Sequence, residues 1–291
     1  MRKSFPATEL RAAFGSAPAR HEPVRGGGYA TNTAKWRVEL EDGRRIFVKL
    51  ALDEAAAGWL RDEQRVYAAG DAPFLARFLG WHDGDGRTLL VLEDLGDARW
   101  PPPWSSGEID AARSLLDVLH ATEPPPGLPT LEGLRSRLDW TDVAEDPEPL
   151  LSTGLCSGAW LERALPVLQE AVGACDLGGT AFLHRDVRSD NLCFAGDRAI
   201  LVDWNLAAVG NPLYDVVAWL PSLYLEGGPA PWDVVPDTGG LSALIAGFFA
   251  SRAGLPPPET APTVRDFQRR QAAVALPWAA RELGLPPRLT A

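Results

Sequence analysis

The residues with the clearest chemical potential are His184-Arg185-Asp186-Val187-Arg188-Ser189-Asp190-Asn191 and, shortly after them, Leu201-Val202-Asp203-Trp204. The first run has the form H-R-D-x-x-x-x-N, in which the aspartate faces a hydroxyl to be phosphorylated and the asparagine holds a metal ion. Phosphoryl transfer needs both at a fixed spacing. A carboxylate must orient the attacking oxygen, and a neutral amide oxygen completes a Mg²⁺ shell without adding charge. The apolar run 199–202 suits a short buried strand and delivers Asp203 at its end as a second metal ligand. An isolated H-R-D is an ordinary loop, and an aspartate after an apolar strand is an ordinary turn residue or helix cap. It is the ordered set that points to phosphoryl transfer.

Such groups need elements to hold them. Residues 24–95 carry short apolar or alternating runs broken by Gly and Asp-Gly turns, and 35–40 and 45–50 flank Glu41-Asp42-Gly43-Arg44, a hairpin signal. A helix is predicted over 53–69, then strands over 74–81 and 88–93, giving a small antiparallel sheet with one long helix. After the extended connector Trp100-Pro101-Pro102-Pro103-Trp104 the periodicity turns helical, over about 106–121, 132–142, 158–174, 212–225, 239–253 and 263–283. The expected units are 1–95, for nucleotide, and 96–291, for the catalytic loop and acceptor, with a hinge near 93–98.

Within that frame, Gly26, Gly27, Gly28 and Thr31 lie ahead of the hairpin, where glycines let a backbone approach phosphates. The segment departs from G-x-G-x-x-G spacing and reads equally well as a flexible turn. Lys49 ends the strand Ile46-Phe47-Val48 and would neutralise nucleotide phosphates, fixed by a carboxylate of the following helix. Glu63 is the expected partner, ahead of Glu54 and Asp62. Glu93-Asp94-Leu95-Gly96 should form the hinge, with backbone at Glu93 and Leu95 meeting the base. Asp215, in the first turn of an apolar helix, complements the helix dipole and is assigned support rather than chemistry. His21, His82 and His120 show no partner pattern.

This ordered set resembles the aminoglycoside phosphotransferase family, small-molecule kinases with a protein-kinase-like fold. The resemblance runs from the 26–33 loop through Lys49, Glu63, the hinge, His184–Asn191 and Asp203 to the turn ending in Asp215. It implies an α+β, bilobal protein-kinase-like fold, with a small antiparallel β-sheet N-lobe bearing one helix and a larger, mainly helical C-lobe. It also implies Asp186 as catalytic base, Asn191 and Asp203 as Mg²⁺ ligands, Lys49 as the phosphate lysine, and His184 and Asp215 as structural supports. Arg188 is left with two roles, meeting the γ-phosphate or pairing with Asp190. Arg185 departs from the family, which more often has a small residue there. ATP is the default donor, and the hinge leaves GTP open.

Spacing separates the chain from protein kinases. Asp203 is followed by Trp204-Asn205, and Asp215 comes too soon to leave room for a peptide-docking segment. The acceptor is therefore read as a hydroxyl of a small molecule. An antibiotic of aminoglycoside, nucleoside or related amino- or sugar-containing type comes first, with choline, homoserine or sugar kinases as the metabolic alternative and an inactive kinase-fold binding protein as the third reading. Asp190, Trp204, Glu226 and Asp233 are the acceptor-binding candidates, alongside Asp237 and the stacking surfaces Trp100, Trp104, Trp219 and Trp232.

The net charge of −11 disfavours nucleic acid or an anionic membrane as partner. Three scattered cysteines argue against a disulfide framework or a zinc site and suit a reducing cytoplasm. Neither a signal peptide nor a spanning segment is expected, and the chain is read as a monomer or homodimer.

Overall fold

The structure, a computed structural model, describes residues 4–24 and 29–286. The chain begins α1 (Ala7–Phe14), β1 (Pro18–Pro23), β2 (Thr33–Leu40), β3 (Arg45–Ala51), α2 (Glu54–Ala68), β4 (Phe78–Gly84) and β5 (Arg87–Glu93). It continues with α3 (Ser106–Ala121), α4 (Thr141–Glu145), α5 (Glu148–Ser152), α6 (Gly158–Ala174), β6 (Ala181–Leu183), β7 (Leu192–Ala195) and β8 (Arg198–Leu201). The last elements are β9 (Ala208–Gly210), α7 (Leu213–Leu225), α8 (Pro231–Val234), α9 (Gly239–Ala253) and α10 (Val264–Glu282). Two compact units result: Met1–Pro101 with Asp190–Ala207, and Pro102–Ser189 with Ala208–Ala291.

In the first unit a five-stranded sheet runs in the order β1-β2-β3-β5-β4, antiparallel throughout. Alternation sorts its two faces. Trp36, Val38 and Leu40 of β2, Ile46, Val48 and Leu50 of β3, and Leu89 and Val91 of β5 form one buried cluster with Leu10 of α1. Lys35 and Lys49, opposite each other in the β2–β3 ladder, take the other parity. Helix α2 starts where Asp53 caps it, its side chain accepting from Ala56 N at 2.8 Å. Ala56, Leu60, Glu63 and Tyr67 then line one buried face.

The expected strand over 74–81 is displaced to Phe78–Gly84. Phe74 and Leu75 are spent elsewhere, since Leu201 N donates to Phe74 O at 2.8 Å and Leu75 bridges Leu201. These bonds, with the Arg99–Phe194 backbone pair at 2.8 and 2.9 Å, fasten the β7–β8 hairpin to the first unit. A stretch that the sequence reading placed in the helical part therefore packs with the sheet. Strand β1 was not foreseen. Its side chains are mostly exposed, and a sheet edge tolerates its two prolines.

In the second unit α9 is buried almost all round and packs against α6 and α10. Gly247 lets it close on residue 140, where an added Cβ would sit 2.9 Å from the Trp140 indole nitrogen. The helix expected over 132–142 breaks into a 3₁₀ segment (Glu132–Arg137) and α4, because the Asp139 side chain accepts from Thr141 N at 2.9 Å and restarts the helix. Strands β6 and β9 pair antiparallel, so the 184–189 loop leaves one strand beside the entry to α7. Among the described residues no helix is long and apolar enough to cross a membrane.

Candidate active site

The first unit gathers one cluster of candidates. Lys49 on β3 and Glu63 on α2 are buried (4% and 3% exposed), and the ammonium donates to both Glu63 oxygens at 2.8 Å. The same ammonium donates to Asp203 Oδ1. Asp203 follows β8 at φ +69, a left-handed conformation that a non-glycine residue keeps only when its surroundings enforce it. Val202 N donates to Asn191 O at 2.9 Å, which ties the two predicted metal ligands together through the backbone. Asn191 itself is buried.

One ammonium thus faces two carboxylates. Burial pulls the Lys49 pKa down, but Asp203 and Glu63 override it and hold the ammonium charged. Burial raises Glu63, and the attraction of Lys49 only partly offsets this while Asp203 adds to it, so the carboxyl is pushed up to about 7. Lys35, which the sequence reading passed over, sits in the same field. Burial lowers its pKa and Lys49 adds to that, while Asp203, Glu63 and Asp190 act to raise it. Its parity with Lys49 across a two-strand ladder was the available signal.

This arrangement has a pH consequence. A Glu63 held near 7 in the fold and near 4.5 when unfolded makes the folded state bind more protons between those values, so stability falls as pH rises across that window. Lys49, raised above its ordinary value, contributes no change there. Urea unfolding at pH 5 and pH 7 should show the wild type losing on the order of 1–3 kcal/mol relative to Glu63→Gln. Asp203→Asn should shrink the loss.

At the hinge, burial would raise Glu93, but hydrogen bonds from Arg77 and the charges of Arg77 and Arg198 leave its pKa lowered. Its carboxylate accepts from Arg77 N at 2.9 Å and Nε at 3.0 Å and from Arg198 at 3.3 Å, so the side chain serves the hinge's own structure. The half-buried Leu95 gives its carbonyl to the Trp100 indole at 3.2 Å. Thr31 is exposed, and Gly26, Gly27 and Gly28 lie outside the described residues.

The second unit gathers the other cluster. Asp215, fully buried in the first turn of α7, accepts from His184 N at 2.9 Å and Arg185 N at 2.7 Å. His120 Nε2 lies 3.1 Å from the same carboxylate, a third partner that only the fold reveals. Arg185 is held at φ +68, and His184 Nδ1 accepts from Asp186 N at 3.2 Å. The Asp186 side chain is 31% exposed and pairs with Arg188 Nε at 3.0 Å. Arg188 is buried, its guanidinium 5.2 Å from the centre of the Phe267 ring.

The acceptor candidates fare unequally. Trp204 is fully buried, tilted against Phe74 at 5.7 Å with its indole N–H on Leu201 O, so it offers no face to a ligand. Trp219 is likewise core. Asp233 and Asp237 are exposed, and Asp190 interacts with Lys35. Glu226 is half-buried, and its oxygens accept from Ser189 Oγ at 2.6 Å and Trp104 Nε1 at 2.7 Å. Among the described residues no group of three or more His, Cys, Asp or Glu side chains could hold a metal. Asn191 and Asp203 would offer one amide and one carboxylate oxygen, a donor chemistry that would suit Mg²⁺, an ion that usually takes one or two protein carboxylates and completes its shell with phosphate and water.

An antiparallel sheet with one helix, a buried lysine–glutamate pair and an H-R-D-x-x-x-x-N loop pinned by a buried aspartate define a kinase-like fold. The chain belongs to the phosphotransferase enzyme family (APH), whose sequence profile matches residues 22–243. No curated protein matches the sequence. Among solved structures, an aminoglycoside phosphotransferase in ternary complex with ADP and hygromycin B superposes with a TM-score of 0.61 at 16% identity, covering 97% of this chain and 98% of that one. A choline/ethanolamine kinase family protein from Mesorhizobium loti gives 0.58 at 17%, covering 95% and 97%. A putative fructosamine-3-kinase from Haemophilus somnus gives 0.56 at 12%, covering 96% and 95%. At such identities the likeness is one of fold.

Proposed function

We propose that the chain moves the γ-phosphate of ATP to a hydroxyl of a small molecule, with Mg²⁺ held by Asn191 and Asp203. The observation that carries this reading is the buried Lys49–Glu63 pair at 2.8 Å with Asp203 on the same ammonium. Lys49 neutralises phosphate oxygens, and Glu63 holds its ammonium in place. The bound ion supplies neutralisation of charge on the transferring group. Asp186 orients the acceptor hydroxyl and takes its proton as the oxygen attacks phosphorus and the bond from phosphorus to the bridging oxygen breaks. Asp215 fixes the backbone at 184 and 185, and Arg188, paired with Asp186 at 3.0 Å, holds that side chain in place.

For the acceptor we favour an amino- or sugar-containing antibiotic, with a choline-, homoserine- or sugar-type metabolite as the alternative. Support comes from the solved structures of like fold, among them a phosphotransferase bound to hygromycin B, a choline/ethanolamine kinase family protein and a putative fructosamine-3-kinase. We place the reaction in a reducing cytoplasm, a reading supported by Cys156, Cys175 and Cys193, none of which forms a disulfide. The test is an ATP-consumption screen across aminoglycosides, nucleoside antibiotics, choline, homoserine and simple sugars, preceded by thermal shift. Mg²⁺-ATP should raise Tm, because a ligand of the native state stabilises it. No shift with ATP or GTP, and no turnover on the panel, would replace the enzyme with a binding protein on a kinase fold.

A further inference from the structure

The carboxy-terminal end of α7 reaches the loop that carries Asp186. Glu226 caps that end, half-buried, and its two oxygens are taken by different donors: Ser189 Oγ at 2.6 Å and Trp104 Nε1 at 2.7 Å. Ser189 is buried, and the Trp104 ring stands edge-on at 5.4 Å from the buried Trp219. At the amino-terminal end of the same helix, Asp215 accepts from His184 N and Arg185 N. A helix of 13 residues is about 20 Å long, enough to follow an extended loop of half a dozen residues. Helix α7 therefore grips the loop on both sides of Asp186.

We propose that Glu226 is a positioning residue for Asp186, acting through Ser189 and braced by Trp104, rather than a receptor for a cationic acceptor. This rests on reading Asp186 as the base. Asp215 holds backbone upstream of Asp186, and downstream the bond of Ser189 to Glu226 ties the loop back to α7. Freed there, the loop would let the Asp186 carboxylate drift, and misplacement of reacting groups by about 1 Å can cost about a hundredfold in rate.

Chemistry separates the two roles of Glu226. An ammonium acceptor needs its charge. The tether needs an acceptor toward an indole N–H and any partner for a hydroxyl, which both donates and accepts. A glutamine supplies both, its oxygen taking the indole and its amide donating to Ser189.

The experiment uses the full chain with the acceptor found by the screen. Glu226→Ala and Ser189→Ala should each lower kcat about 10- to 100-fold, with acceptor and nucleotide KM within about twofold. Glu226→Gln should stay within about threefold of wild type, with the KM of an amine-bearing acceptor unchanged at low and high salt. Hydrogen exchange over residues 184–190 should quicken in both alanine variants and not in Glu226→Gln. A Glu226→Gln variant that kept kcat but raised acceptor KM more than about tenfold would make Glu226 a cation site and overturn the proposal. So would Glu226→Ala with unchanged exchange and unchanged kcat. The exchange readout needs no turnover. Asp186→Ala at full activity would remove the base and the catalytic meaning of the tether, whereas an inactive Asp186→Ala beside unaltered exchange in Glu226→Ala would sink the tether alone.

Discussion

Asp186→Ala is expected to lower kcat by about 10²- to 10⁴-fold, the range a positioned general base contributes, while the nucleotide KM stays within about twofold. The interaction lost exists only when an acceptor hydroxyl gives up its proton, so ground-state binding of nucleotide has nothing to lose. The competing explanation is electrostatic. Asp186 is the ion-pair partner of a buried Arg188, and deleting it could spoil the loop by removing that counter-charge. The two causes part in the double variant. Asp186→Ala combined with Arg188→Met removes both charges and lets the methionine pack on Phe267, where the guanidinium lies now. If counter-ion loss were the cause, turnover would return; if Asp186 is the base, the double variant stays dead and only Tm recovers. Steady-state kinetics with both substrates varied, alongside thermal unfolding, decide it.

The residues of the candidate site were legible because their spacing is local. An apolar strand ending in Lys49, a helix whose buried face repeats at 56, 60, 63 and 67, and the 184–191 loop each announce themselves within one element. The sheet and the larger helices followed from alternation and periodicity, three of them to the residue. What escaped depends on contacts between distant segments. His120 meets Asp215, and Trp104 and Ser189 meet Glu226, only because α3, the proline connector and the end of α7 converge in the fold. Tryptophans resist a sequence reading for a different reason. The same ring fills a core or stacks on a ligand, and only burial tells that Trp204 does the first while Trp104 is braced by a carboxylate. Lys35 was missed because a lysine in an alternating strand normally reads as a solvated face, whereas here its ladder partner is Lys49.

Lys49→Met should abolish measurable transfer and also cost about 3–5 kcal/mol of stability, the usual result of breaking a buried pair from one side. The methionine fills the lysine's volume, so packing changes little. What remains is the buried Glu63 carboxylate, with Asp203 beside it and the ammonium that both oxygens of Glu63 now share removed. Like charges brought together without that ammonium push the Glu63 carboxyl still higher than its present value near 7. The stability loss should therefore be smaller at pH 5, where Glu63 is protonated, and larger at pH 8. Adding Glu63→Gln removes the stranded charge and should restore most of the stability at pH 8, yet it returns no activity, because the lysine proposed to meet the nucleotide phosphates is gone. Chemical unfolding at both pH values and a turnover assay at pH 8 together read the outcome. Recovery of turnover in the double variant would show that Lys49 acts only as the counter-ion of Glu63. Equal losses at pH 5 and pH 8 in the single variant would show that the cost lies in packing rather than charge.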